Sequence, residues 1–490
     1  MFYLSDEKNI DNVIENSFDD ENNPTNNIEL DNKKTNKRQS PSKFIPKKYV
    51  VTSVQYNGKA NEQFFKGLEK YCEEKNAELL INPIRGANIE EDELDPLFEN
   101  YKIINGDMRL NRKIGIKKFD IRPNQINPLT GLERFVQDDT TAIIASPKIA
   151  MKVVANSKRK IPKILMTTGA ATFPNYPDKH RINYIARRDH SYGAVVVETI
   201  NSNRYHFRSL NSLKNGVFYD LCEKFNGSNA PEFERPPVLV LGDWHSGDTD
   251  PSVREETYKM LEKYEPKRIF VHDVFNGHSI NHWNRGKIID LYKNKHRLNL
   301  QEEIELVAHD LEEMAKRSPN SQIFVVKSNH DERLYNYLNQ AEYARETHPY
   351  NLEIALELAL EVLNGNDPLE AGVRKYAKNL KNVKFLGLDE DYKILGWQLA
   401  NHGHLGSNGG KGSKWAIEKA NGKSITMHSH TPEAFRNMYK GGTSTLMDLD
   451  YNKGYSGWMN THVFLYGNGK PQLVNIIDGE HRSSIDYSTQ

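Results

Sequence analysis

Three short apolar runs constrain this chain more than any other feature: Pro237-Val-Leu-Val-Leu241, Arg268-Ile-Phe-Val-His272 and Gln322-Ile-Phe-Val-Val-Lys327. Each gives way at once to a cluster of Asp, His and Asn. Helical patterns occupy residues 253–264 and 300–316, and in the second Ile304, Leu306, Val307, Leu311 and Met314 are spaced for one apolar face. Strand, helix, strand predicts a parallel sheet, and sites in open α/β sheets form at the carboxyl ends of the strands, where these polar clusters fall.

The clusters occur in a fixed order: GDWHSGD (242–248), HDVFN (272–276), SNHDE (328–332), NHGH (401–404) and MHSHTPE (427–433). An isolated HxH or NHD is usually a surface or packed histidine. Five such pieces in one order are harder to treat so, because burying ionisable groups without partners is costly. Asp243 and His245 are two apart where a strand ends, so both project to one side. Asp273 follows the second run, and its two oxygens have lone pairs enough to bridge two cations. Asn329 and His330 follow the third. Either His402 or His404 can reach a metal from the loop after residues 394–400. Past Asp273, His278, Asn281, His282, Trp283 and Asn284 put polar and aromatic groups at the mouth of the site. His278 and His282 are therefore expected to contact substrate. Carboxylate, amide and imidazole ligands without thiolate suit Mn, Fe, Zn or Mg, and do not choose among them.

The series resembles the calcineurin-like metallophosphoesterase superfamily, whose pattern is DxH, GDxxD, GNH(D/E), H and GHxH, over roughly residues 236–477. The resemblance implies a β-sandwich flanked by helices over 236–480. It also implies that Asp243, His245, Asp273 and His430 hold one metal, and that Asp273, Asn329, His402 and His428 hold the other. Manganese is the metal it favours. It further implies that His330 is the general acid or stabilises phosphate charge, that Asp331 orients its ring, and that His404 lies nearer the phosphate. Three positions depart from the pattern: His272, Ser328 and Met427 stand where the family has Gly, and Asn276 stands where it has Asp. An amide is then what any supporting role at 276 would rest on.

The chain has 490 residues, too many for one ordinary core, and a formal net charge of zero, which offers no overall attraction to nucleic acid. Residues 1–45 are Asn-rich and charged, with too little apolar content to fold alone, and read as a disordered polar arm. Residues 46–225 read as a separate accessory α/β domain of no assignable family, with an irregular insertion at 85–139. Its later half carries Lys152, Lys158, Arg159, Lys160, Lys163, Lys179, Arg181, Arg187, Arg188, Arg204, Arg208 and Lys214 against Asp178, Asp189 and Glu198. Such an excess would suit a polyanion, because neutralising phosphates releases counterions. A mixed surface paired with acids elsewhere is the alternative. The Gly- and Thr-rich stretch 167–176 lacks the lysine of a P-loop and reads as a plain loop. The segments 440–444 and 455–458 read as flexible loops, and Gly467-Asn-Gly-Lys470 as a hairpin turn.

Two cysteines, no CxxC and no secretory apolar segment point to a reducing cytoplasm. No stretch approaches the ~20 apolar residues of a spanning helix, so no membrane partner is expected. The runs NHDERL, HSHTPE and NTHVFLYGNGKPQLV are similar to SbcD-type DNA exonucleases and, more closely, to early phage DNases that degrade host DNA. The resulting expectation is a phage-encoded, two-metal DNA phosphodiesterase of little sequence preference, acting on DNA in the bacterial cytoplasm, with homo-oligomerisation as the default. The alternatives are a phosphatase or phosphodiesterase for a small nucleotide or phosphoprotein, and a non-catalytic DNA-binding protein stapled by metals.

Overall fold

Alternate residues of the three apolar runs enter two different cores. Leu239, Ile269, Val271, Ile323 and Val325 pack with the helices. Val238, Val240, Phe270, Phe324 and Val326 face the other way, into a second core. Strands buried on both faces are read from sequence as continuous apolar runs, which is why these three stand out. The computed structural model describes residues 44–482 apart from 86–92, 137–139, 158–162, 282–298, 347–348 and 450–451. The arm expected over 1–45 lies, up to Lys43, outside the described residues, and so does His282.

The three runs form part of a six-stranded sheet in the order Val383–Leu386, Gln322–Val326, Arg268–His272, Val238–Val240, Thr461–Leu465, Pro471–Asn475. The first four strands are parallel and the last two, a hairpin, run antiparallel. Helices Pro251–Tyr264 and Leu300–Arg317 supply Val253, Leu261, Ile304, Val307, Leu311 and Met314 to the core on one face. Each has a side-chain N-cap, Asp250 and Asn299, that accepts backbone N–H groups of the first turn.

The opposite face shares its core with a ten-stranded mixed sheet and with the five-stranded sheet that contains Lys47–Gln55. The architecture is thus mixed α/β, with stacked sheets and helices on the outside. The accessory domain expected over 46–225 is not a body apart. Glu433–Phe435 pairs antiparallel with Ala150–Val154 inside the ten-stranded sheet, and Phe44–Gln490 forms one compact unit. The 225–236 boundary therefore crosses a shared core, because strands of three to five residues from both halves complete one another's hydrogen bonding. Among the described residues, no helix is long and apolar enough to cross a membrane.

Candidate metal centre

The strand ends bring the expected ligands together. Asp273 belongs to two groups of side chains, one with His245 and His430, the other with Asp243 and His402, whose possible ligand atoms lie within 4.8 Å of one another. His245 Nε2 is 3.1 Å from His430 Nε2 and 3.2 Å from Asp273 Oδ2. On the other side, His402 Nε2 is 3.6 Å from Asp273 Oδ2. Asn329 Oδ1 stands 3.1 Å from His402 Nε2 and 3.0 Å from His428 Nδ1, which adds Asn329 and His428 to that side. Asp243 sits between the groups, 3.3 Å from His430 Nε2 and 3.7 Å from His402 Nδ1. All seven expected ligands therefore meet, with Asp243 facing both sides rather than one.

The backbone is bent to achieve this. His245, Asp273, His428 and His430 all have positive φ, between 49° and 74°, a region that costs side-chain-bearing residues free energy and persists where the surroundings impose it. One such surrounding is the segment 441–445, buried although residues 440–444 were expected to form a flexible loop. Gly442 O accepts the Asp243 N–H, and Ser444 N–H and Thr443 Oγ1 both donate to Asp243 O. From below, His462 Nδ1 accepts the Gly242 N–H at 2.9 Å, and its Nε2 meets Thr257 Oγ1 at 2.8 Å. Sequence reasoning missed His462; its place in an alternating strand beside Thr461 was the available signal.

Burial raises Asp243 well above the usual carboxylate range, and the neighbouring Asp273 charge adds to this. Burial pushes Asp273 the same way, but His330, His245 and His402 outweigh it and hold it well below that range. His245 is lowered by burial, yet Asp273 and then Asp243 bring it up to about 9. His402 and His430 are held well below the ordinary imidazole value by burial. Asp243 Oδ1, Asp273 Oδ1, His402 Nδ1 and His430 Nδ1 are buried without a hydrogen-bond partner among the described residues. Buried polar atoms are normally satisfied, so the carboxylate oxygens left without donors, Asp243 Oδ1 and Asp273 Oδ1, are what a cation site requires. The residues fit divalent metal.

Around the ligands, Asn276 takes the supporting role: its Oδ1 lies 2.9 Å from His245 Nδ1, and its Nδ2 donates to Ser246 O. Its backbone oxygen accepts from His330 Nδ1 at 2.6 Å. This corrects the expectation that Asp331 orients His330. Ser328 caps helix Asn329–Asn339, and Asp331, three residues on, turns its carboxylate back to the Ser328 N–H in a capping box. That also accounts for Ser in place of Gly at 328. The His330 ring lies edge-on to His245 at 5.0 Å, and burial lowers it to about 4. His404 bonds Glu332 at 2.9 Å and lines a cavity of about 640 Å³ with His402. His278 bonds Asp248 at 2.8 Å and lines another, of about 470 Å³, with Ser246 and Asn276. Trp458, another residue without an expected role, packs its ring 4.3 Å from His430.

Part of the basic excess of the first half is paired, while Lys163, Lys179, Arg181 and Lys214 meet no carboxylate among the described residues. Lys152 meets Glu133, Arg187 meets Asp178, Arg188 meets Asp189 and Arg204 meets Asp478. Arg208 is buried between Glu198 and Asp220. Lys158, Arg159 and Lys160 lie outside the described residues.

No family model matches the chain. It is similar to "Protein A1" of Escherichia phage T5, 28% identical over 467 residues, which covers 89% of this chain and 82% of the relative. The likeness covers most of the chain and suggests a phage-related protein.

Proposed function

We propose that this chain is a two-metal phosphodiesterase of the calcineurin-like metallophosphoesterase kind, phage-encoded, that hydrolyses DNA with little sequence preference in the host cytoplasm. The observation that carries the proposal is Asp273, one carboxylate common to two groups of buried ligands. Asp243, His245, Asp273 and His430 would hold one ion and Asp273, Asn329, His402 and His428 the other, manganese being the ion the resemblance favours. Two such ions supply polarisation of a phosphoryl group and acidification of an attacking water.

The protein's own part is positioning. Asn276 and His245 fix each other, so that His245 Nε2 faces the centre. His330 donates Nδ1–H to the Asn276 carbonyl, which leaves Nε2 for a phosphate or leaving-group oxygen. His404 and His278 line two different cavities, each held by a carboxylate. The likeness to a phage protein supports the phage setting, and the likeness of the catalytic half to host-DNA-degrading DNases supports DNA as substrate.

A second reading, a phosphodiesterase for small nucleotides, is favoured by the ion pairing of Lys152, Arg187, Arg188, Arg204 and Arg208, which reduces the cationic surface expected beside the centre. Supercoiled plasmid incubated with metal-stripped protein separates the two. On the DNA reading, added Mn or Mg restores nicking, Asp273→Asn and His330→Ala each lower it about 10²-fold or more, and activity falls steeply with salt. Intact plasmid under every metal, with bis-aryl phosphate still cleaved, would move the assignment to small substrates.

A further inference from the structure

On the seam between the two halves, away from the ligands, lies a cavity of about 270 Å³ whose lining includes Lys423, Lys470 and Arg436 and no carboxylate. The Arg436 guanidinium is taken by Asp189 and Glu418, at 3.5 and 3.4 Å. The two lysines differ from it. Lys423 Nζ stands 5.8 Å from the Trp397 ring centroid, and neither ammonium meets a carboxylate among the described residues. Burial and then the Lys423 charge lower the Lys470 pKa, the mark of two cations facing one space with nothing between them.

Two further features narrow what that space takes. Tyr192, Leu213 and Leu395 line it, the two leucines 38% and 47% exposed, and so offer an apolar surface to something flat. Asn211 lines it too, buried, with its Oδ1 lacking a donor among the described residues. An anion, an apolar plane and a hydrogen-bond donor in one small ligand describe a nucleoside phosphate. The volume of about 270 Å³ falls just below the usual range of small-molecule pockets, about 300–1,000 Å³, the size of one nucleotide and too little for a folded strand segment.

We propose that this cavity binds a nucleoside monophosphate group, its phosphate on Lys423 and Lys470 and its base against Tyr192, Leu213 and Leu395, with an amino group toward Asn211. Lys423 begins the strand Lys423–Thr426 that leads to His428. At about 3.3 Å per residue that is roughly 16 Å from the ligand, so this is a second site, on the far end of a strand that feeds the metal centre. It sits where an occupied cavity would brace both halves, since its lining comes from each.

Calorimetric titration of the full-length protein in EDTA tests this apart from hydrolysis. The probes are dAMP, a 5′-phosphorylated oligonucleotide and inorganic phosphate. Saturable binding of dAMP is expected. It should weaken about tenfold or more when Lys423→Met and Lys470→Met are combined, the scale of one lost charge-assisted hydrogen bond, and stay unchanged in Asp273→Asn. Asn211→Ala should weaken dAMP and spare inorganic phosphate. If only the oligonucleotide binds, with the same lysine dependence, the nucleotide comes from a strand end and the site stands. No binding of any probe at millimolar concentration overturns the proposal. So does binding that survives the paired lysine change, or that survives Lys423→Glu, an exposed position where folding is not at stake. Plasmid cleavage lost in Asp273→Asn with dAMP binding retained would show the two sites to be independent.

Discussion

Asn276 decides which nitrogen of His245 faces the metal centre. Its amide oxygen receives from His245 Nδ1 and its amide nitrogen is fixed by Ser246 O, so the amide is not free to turn over. Groups that orient a ligand histidine in this way typically contribute 10- to 100-fold to metal affinity. Asn276→Ala should therefore weaken manganese binding by about that factor in calorimetry while far-UV circular dichroism is unchanged; an undiminished affinity would show that the ring is held by packing alone. Asp243, His245, Asp273 and Asn329 were legible in sequence because each follows an apolar run, which fixes its place at a strand end. Their supports were less so. Asp331 was read as orienting His330, but a residue three after a helix N-cap is drawn to the cap's own N–H, a local competition that outranks the neighbour in sequence. Asn276, where the family has Asp, carries the supporting role through its amide, one bond out from His245.

At the scale of elements, the segment 440–445 shows where sequence reading loses its grip. Lys440-Gly-Gly-Thr-Ser444 has neither apolar periodicity nor a turn pattern, and so reads as flexible. In the structure Thr443, Ser444 and Thr445 are buried and joined by bridges to Asp243, Thr249 and Asn460. Its order comes from hydrogen bonds with Asp243, some 200 positions away, and with Met459, Asn460 and Thr461 of the next strand region, which no local pattern reports. A Cβ on Gly442 would run into the Met459 carbonyl oxygen, and one on Gly441 into the Met427 sulfur. Gly442→Ala must therefore push the segment off Asp243. Overpacking of this sort costs about 1–3 kcal/mol. The expected outcome is a lower melting temperature together with weakened metal binding; loss of stability with metal affinity intact would mean that Asp243 does not depend on this brace. By contrast, the strands Val238–Val240, Arg268–His272 and Gln322–Val326 and the helices Pro251–Tyr264 and Leu300–Arg317 follow their periodicity, since the three strands are buried on both faces and the pattern has little freedom.

For the whole molecule, the ten-stranded sheet and the shared core explain why the sequence pattern suggests two domains where the structure has one unit: the pairing partners are short strands far apart in sequence, which no local pattern reports. A buried polar network reinforces the seam. Arg208 is bonded to Glu198 and Asp220, while Tyr71 and Gln472, from the first helix and the last strand, also reach Asp220. Arg208→Ala leaves two carboxylates buried and unpaired and should cost about 3–5 kcal/mol, read as a single lowered transition; a transition in only one half would show that the halves unfold separately. Acid should loosen the same region. His206 is buried beside this network with neither ring nitrogen bonded among the described residues. Burial holds its pKa at about 4, against partial support from Glu198. An unfolded histidine titrates near ~6.5, so between that value and 4 the unfolded chain carries a proton that the folded chain does not. Stability is then fully present above pH ~6.5 and falls as the pH drops toward 4, by about 3 kcal/mol at most from this residue. His190, lowered to about 4 mainly by burial, acts in the same direction. Urea unfolding at pH 7.5 and 4.5 should show this loss in the parent and a smaller loss in His206→Leu, which keeps the volume and removes the proton site. An equal loss in both would place the acid sensitivity elsewhere and leave His206 as inert packing at the seam.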